Sequence, residues 1–324
     1  MLTVRDLTVS VGGRDAILDV VSGVSFAIKR GEILGLVGES GSGKSMTSLA
    51  VMGLLPRPGP RVRAGTVEID GVDVTALEPW QRLEAGLSHV SMIFQEPMTS
   101  LNPVLRIGQQ IAEAVRVRDR VSHAAARIRA RELLDMVRIP DAEHQLAAFP
   151  HQLSGGMRQR VMIAIALAGK PELLIADEPT TALDVTVQIQ ILGLLRDLCN
   201  RLGMAMLFIT HDMGLIARLA DRVAVMYAGR IVETGDVAPL FAQPAHPYTR
   251  ALMACMPVRG TRGQHLKTIP GQAPRAGTVE IGCGFAARCS HVRDVCRTAP
   301  TPRVAVGAGR EALCAFPLVG EPVQ

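Results

Sequence analysis

The octapeptide Gly38-Glu39-Ser40-Gly41-Ser42-Gly43-Lys44-Ser45 constrains this chain more than any other stretch of it. It follows a short apolar run, Ile33 to Val37, and precedes a helix-like segment, Lys44 to Leu54. A strand that runs into a glycine-rich turn and then a helix is the setting in which G-x-x-x-x-G-K-S/T means a phosphate loop. Its glycines let successive backbone N–H groups curl around phosphate oxygens, and the helix N-terminus adds positive potential. Lys44 is expected to reach the β- and γ-phosphates, and the Ser45 hydroxyl to bind Mg²⁺. Only Lys29, Lys44, Lys170 and Lys267 are lysines among 35 basic residues, so a lysine at position 44 suits a compact point charge. The loop predicts a nucleoside triphosphate ligand.

The 324 residues, 48% of them hydrophobic, allow two units at roughly 150 residues each and exclude general disorder. The longest apolar runs, such as Val161 to Ala168, fall short of the roughly 18–20 residues a membrane-spanning helix needs. The start, MLTVRDLTVS, places Arg5 and Asp6 within an alternating pattern and shows no signal-peptide core, which predicts a cytosolic chain. The net charge of +5 is partly local, with nine basic and three acidic residues between Pro257 and Leu313. Aromatics are 3% of the chain and do not interleave with a basic run, so nucleic acid is not an expected partner.

Leu2 to Val9 alternates as a strand, and Val20 to Ile28 follows a Gly-Gly turn. From about Pro97 to Pro150 the pattern is helical: Ile107, Ile111 and Val115 share one spacing, and Ile128, Leu133, Leu134 and Val137 another. Strand and helix then alternate again through Leu173–Ala176 and Met204–Ile209, and Val223–Tyr227 with Ile231–Glu233 reads as a hairpin. Alternation of this kind predicts an α/β fold with a mainly parallel sheet. Beyond about Gln243 proline and glycine thicken, which places a domain boundary there.

Two adjacent acids, Asp177 and Glu178, end the apolar run Leu173 to Ala176. In a phosphate-loop fold the first suits the Mg²⁺ shell and the second the attacking water. Upstream, Leu153-Ser154-Gly155-Gly156-Met157-Arg158-Gln159-Arg160 opens a helix at a natural N-cap, with two glycines that leave backbone N–H groups bare. That makes a second anion site.

Taken in order, these landmarks resemble the ATP-binding subunit of an ABC transporter over most of residues 1–240. Gln95 matches the Q-loop glutamine, Ser154 to Arg160 the signature motif, Asp177-Glu178 the Walker B pair, Ala182-Leu183-Asp184 the D-loop and His211 the switch histidine. The resemblance implies a RecA-like core, an antiparallel β-subdomain and a helical subdomain over about 97–160, within a nucleotide-binding domain of 1–242. It implies Mg²⁺ held through Ser45, Gln95 and Asp177, and Glu178 as general base, with His211 and Gln95 completing the catalytic set. It also implies a head-to-tail dimer in which Ser154, Gly155, Gly156 and Gln159 serve a partner's ATP. The family's adenine-stacking aromatic has no counterpart between Met1 and Ser25, where Ile17 or Leu18 occupies the region.

Of six cysteines, Cys199 and Cys255 read as structural, whereas Cys283, Cys289, Cys296 and Cys314 cluster in the tail. In the cytosol such thiols are metal ligands or inert. The close-spaced knuckles of zinc sites are absent, and wider spacing suits an iron–sulfur cluster, whose negative charge Arg288, Arg293 and Arg297 would offset. The tail, 243–324, with His246-Pro247-Tyr248-Thr249 and the run Cys283, Phe285, Arg288, Cys289, resembles the C-terminal extension of dipeptide/oligopeptide importer ATPases. That branch implies a 4Fe–4S cluster on the four cysteines; zinc and unligated thiols stay as alternatives. It implies two membrane permease subunits, a second ATPase and an extracytoplasmic binding protein as partners, at the cytoplasmic face of the membrane. A nickel or metal-chelate importer of the same branch is the alternative cargo. A soluble ABC ATPase of DNA repair or translation lacks support, because the helical insert is short. A non-hydrolysing regulator is disfavoured by Lys44, Asp177, Glu178 and His211 together.

Overall fold

Alternation at the N-terminus becomes a strand, β1 (Leu2–Gly12), whose inward side chains Leu2, Val4, Leu7 and Val9 are fully buried. It pairs antiparallel with β2 (Ile17–Ile28) and also with a later strand, β4 (Arg61–Ile69). The short β5 (Val72–Asp73) completes the order β2-β1-β4-β5. This is the antiparallel subdomain that the motif order implied. The computed structural model describes residues 1–12, 17–84, 89–95, 100–181, 183–256, 268–274, 277–278 and 281–319. Gly13 of the Gly-Gly turn, Pro97 at the start of the helical block, Ala182 of the D-loop and Lys267 lie outside the described residues.

The chain divides into two compact units, one of residues 1–28, 32–77 and 208–324, the other of 29–31 and 78–207. In the first, β3 (Ile33–Val37) runs parallel to β9 (Arg222–Tyr227), Leu34 beside Arg222 and Val37 beside Val225. β9 turns into β10 (Arg230–Asp236) through Ala228 and Gly229, with φ of 46° and 82°. Positive φ at both central residues is the two-residue hairpin geometry that matches strand twist.

The tail extends this sheet. β12 (Arg310–Leu313) pairs with β10, and β11 (Arg303–Gly307) pairs with β12, both antiparallel. Within this unit β3 and β9 pair in parallel, and the strands that follow β9 add to it antiparallel. Gln243 marks a change in sequence character rather than a break between compact units. A buried carboxylate joins the two parts: Glu233 of β10, 0% exposed, accepts from the backbone N–H groups of Ala245 and His246, each at 2.9 Å, and from Arg310 Nη2 at 3.3 Å. Three donors, one of them charged, are what a carboxylate needs to tolerate removal from water.

In the second unit, β6 (Val90–Ile93) runs parallel to β7 (Leu173–Asp177), Ile93 beside Ala176. The helix Ile107–Asp119 buries Ile107, Ile111 and Val115 as its spacing predicts. On the helix His123–Met136 the buried face is instead Ala126, Ala130, Leu133 and Leu134. Ile128 points outward, 60% exposed; two residues from Ala126, it lies on the opposite side of a 3.6-residue turn, which corrects its assignment to the apolar stripe. The helix Gly155–Ala168 is buried over most of its length. β8 (Ala205–Thr210), buried throughout, carries the chain back into the first unit.

Candidate functional site

The glycine loop stands where β3 gives way to the helix Lys44–Met52, and two of its glycines, Gly38 and Gly43, are fixed by close backbone approach. A Cβ at Gly38 would overlap the Met226 carbonyl. Gly43, at φ 104°, is the helix N-cap, and a Cβ there would meet the Val20 carbonyl at 2.9 Å. Lys44 is buried and donates from Nζ to the carbonyls of Gly38 at 2.8 Å and Glu39 at 3.0 Å. Ser42 takes part only through its backbone: its N–H donates to Glu39 O and its carbonyl accepts from Gly229 N–H. Among the described residues its buried hydroxyl has no partner, which fits a loop shaped for an oxygen-rich ligand. Ser40, Gly41 and Ser45 complete the loop, with Gly41 at φ 77°. His211 follows β8 in the same unit and is exposed, beside Asp212, whose carboxylate caps the helix Met213–Leu219.

The second unit brings Gln95 and Glu178 together. Each follows the carboxyl end of one of two adjacent parallel strands, where open α/β sheets place ligands. Gln95 Nε2 donates to Glu178 Oε2 at 3.2 Å, and the Thr181 hydroxyl donates to the same oxygen at 3.0 Å. Glu178 has φ 45°, a left-handed conformation that costs a non-glycine residue energy and clusters at working sites. Asp177, the last residue of β7, is buried. The pair can present one carboxylate to a cation and the other to a water.

Ser154 caps the helix Gly155–Ala168 by accepting from Met157 N–H at 3.3 Å, and Asp184 caps the helix Val185–Leu202 by accepting from Val187 N–H at 2.9 Å. The two helix starts pack together through the glycines: a Cβ on Gly156 would lie 2.7 Å from Val187 Cγ1. Ser154 and Gly155 are exposed and Gly156 half-buried, whereas Gln159 is buried and its amide N–H₂ has no partner among the described residues.

In the tail, Cys283, Cys289, Cys296 and Cys314 all line one apolar cavity of about 290 Å³, together with His246 and Phe285. Burial raises the Cys283 and Cys289 thiols and pushes Cys314 up to about 11, and proximity of the thiols to one another adds to it. Among the described residues no three His, Cys, Asp or Glu side chains are grouped so as to hold a metal ion. The four thiols thus face one shared space. Of the arginines expected to offset a cluster, Arg288 ion-pairs with Glu39 and Arg293 stacks over Phe316 at 4.0 Å. Cys199 is buried in the helix Val185–Leu202, as expected. Ile17 and Leu18 are exposed aliphatics on β2.

Sequence reasoning missed Thr181 beside Glu178, and it missed Arg288 and Tyr248 as neighbours of Glu39. A threonine three residues past Glu178 carries no motif signal, and the tail's contacts with Glu39 span 209 and 249 residues of chain.

A family model described as "ABC transporter" matches residues 21–181, and one described as "Oligopeptide/dipeptide transporter, C-terminal region" matches residues 232–296. A probable peptide ABC transporter ATP-binding protein of Sinorhizobium fredii is 50% identical over 97% of this chain and 94% of its own. The dipeptide transport ATP-binding protein DppD of Escherichia coli is 46% identical over 98% and 97%. The oligopeptide transport ATP-binding protein AppD of Bacillus subtilis is 48% identical over 92% and 90%. Among solved structures, a post-hydrolysis dimer of the ATP-binding cassette MJ0796 bound to ADP and Pi matches 73% of this chain and 99% of its own, at 29% identity and a TM-score of 0.64. The chain belongs to the ATP-binding subunits of ABC transporters, with the C-terminal region of the oligopeptide/dipeptide branch.

Proposed function

We propose that this chain is the ATP-hydrolysing, energy-coupling subunit of an importer for di- or oligopeptides. The observation that carries hydrolysis is the Glu178 carboxylate, held at the end of a buried strand by Gln95 and Thr181. In this reading the loop Gly38–Ser45 cradles the phosphates, Lys44 leaves its carbonyl partners for the β- and γ-oxygens, and Ser45, Gln95 and Asp177 hold Mg²⁺. Glu178 takes the proton of the attacking water, and His211 orients the γ-phosphate. Ser154, Gly155 and Gly156 offer a helix N-terminus to the nucleotide of a second ATPase subunit, with Asp184 at the same seam and Gln159 supporting the helix from inside. Binding energy closes the pair and loss of the γ-phosphate reopens it.

The partners in this reading are two permease subunits, a second ATPase and, on the far side of the membrane, a binding protein. The chain sits peripherally at the cytoplasmic face; among the described residues no helix is long and apolar enough to cross a membrane. Peptide cargo is favoured over a metal chelate by the tail, which aligns with relatives named for peptide, dipeptide and oligopeptide transport. The test is co-purification with the permeases from solubilised membranes, followed by ATP-driven uptake of labelled dipeptide in proteoliposomes. Uptake of nickel chelate without uptake of peptide overturns the cargo.

The four tail thiols are read as ligands of a 4Fe–4S cluster with a structural role. All four line one cavity, and a cage presents its thiolates at separated corners, unlike a single ion. The cluster would tie three short tail segments into one body. Iron and sulfide assay of anaerobically purified protein, with its visible spectrum, tests this; a colourless, iron-free preparation removes it.

A further inference from the structure

The tail touches the phosphate loop at Glu39, and it holds that residue from two sides. The Arg288 guanidinium donates from Nη1 to Glu39 Oε2 at 2.8 Å, and the Tyr248 hydroxyl accepts from Glu39 N–H at 2.9 Å. The Glu39 carbonyl faces inward, taking Lys44 Nζ at 3.0 Å and Ser42 N–H at 3.2 Å. Carboxylate, N–H and carbonyl of this one loop residue are thus all engaged, and two of the three engagements come from beyond residue 243.

Arg288 is itself over-determined. Its remaining donors go to Tyr227 Oη at 3.2 Å, Pro270 O at 2.9 Å and Ile269 O at 3.2 Å, and its side chain is 6% exposed. It ends the 3₁₀ turn Ala286–Arg288, between Cys283 and Cys289 of the thiol cavity. A solvated surface pair would be worth little; this pair is sheltered, geometrically fixed and attached to the loop that must be ordered before phosphate binds.

We propose that Arg288, supported by Tyr248, is a positioning residue for the phosphate loop, acting through Glu39 to set nucleotide affinity. With the loop's entry held, its amides stand ready and less ordering entropy is lost on binding. Because coupling is reciprocal, bound nucleotide must in turn order the Cys283–Cys296 segment. The inference rests on reading Gly38–Ser45 as the phosphate loop.

The test uses the full-length chain, Mg²⁺ and a non-hydrolysable ATP analogue. Arg288→Met and Glu39→Gln are each expected to raise Kd about fivefold or more, with the double variant no weaker than the worse single and Arg288→Lys recovering part of the loss. Hydrogen exchange at residues 283–296 should slow on nucleotide binding in the parent and not in Arg288→Met. Unchanged Kd in both single variants, or losses that add in the double, overturns the proposal. Should Arg288→Met fail to fold, Glu39→Gln reads the same contact with the tail's sequence intact. Lys44→Ala separates the two readings: if it abolishes binding while Arg288→Met binds normally, only this inference falls, and if it binds normally the loop assignment falls and takes this inference with it.

Discussion

Glu178 Oε2 receives two hydrogen bonds at once, from the Gln95 amide at 3.2 Å and the Thr181 hydroxyl at 3.0 Å. One oxygen of the carboxylate is thereby engaged and the group is oriented. Glu178→Gln should keep nucleotide binding and lower phosphate release by about 10²-fold or more, because a proton acceptor is lost. Normal turnover by this variant would strip Glu178 of its role.

Thr181→Val removes one of the two donors and keeps the shape. Turnover should fall by up to about tenfold through loss of orientation, with Kd for nucleotide unchanged. A Kd that rises with no loss of rate would assign Thr181 to binding instead.

Lys44→Ala should abolish tight nucleotide binding, measured by fluorescence titration, since no other residue of the Gly38–Ser45 loop carries a positive charge. The chain should still fold: Lys44 Nζ bonds the Gly38 and Glu39 carbonyls, both within its own loop.

Gly155 and Gly156 should respond differently to alanine. A Cβ on Gly155 meets Leu183 Cδ2 at an ordinary 3.5 Å, whereas one on Gly156 stands 2.7 Å from Val187 Cγ1. Gly156→Ala should cost about 1–3 kcal/mol by overpacking and Gly155→Ala much less, read by thermal unfolding. Equal melting temperatures would contradict the packing described.

His246 is buried and held at about 4 against an ordinary 6.5, chiefly by desolvation, with the Leu313 carbonyl opposing. On acidification the unfolded chain takes up this proton before the folded one. The stability His246 contributes is therefore present above pH 6.5 and is lost as pH falls towards 4, by about 3 kcal/mol at most. His246→Asn keeps an acceptor for Tyr248 N–H, which bonds Nδ1 at 3.0 Å, and does not titrate. Its melting temperature should decline less between those pH values; an unaltered pH profile would show that His246 is not the titrating group.

Much of this fold and site was legible because the informative residues are local. Gly38 to Ser45 are contiguous, and Ser154 and Asp184 cap helices within three residues of themselves. Ile33–Val37 and Leu173–Asp177 announce buried strands by apolar content alone. The tail was the opposite. β11 has an alternating, half-exposed pattern that proline and glycine around it obscure, and its partner β12 is docked on β10, nearly eighty residues earlier, Glu233 beside Ala312. Ile128 was misplaced because alanines, weak signals by hydrophobicity, form the face that packs. Arg288 reads by composition as a counter-charge for the thiols; only the three-dimensional path of the chain delivers it to Glu39.

The pairing of β12 with β10 means that the last eighty residues are no detachable appendage. A polypeptide stopped near Gln243 would leave β10 as a bare strand edge, able to template pairing with another molecule. Its Glu233 would lose Ala245, His246 and Arg310 together. Shortened forms of this protein should clump in the cell rather than persist as small, active ATPases.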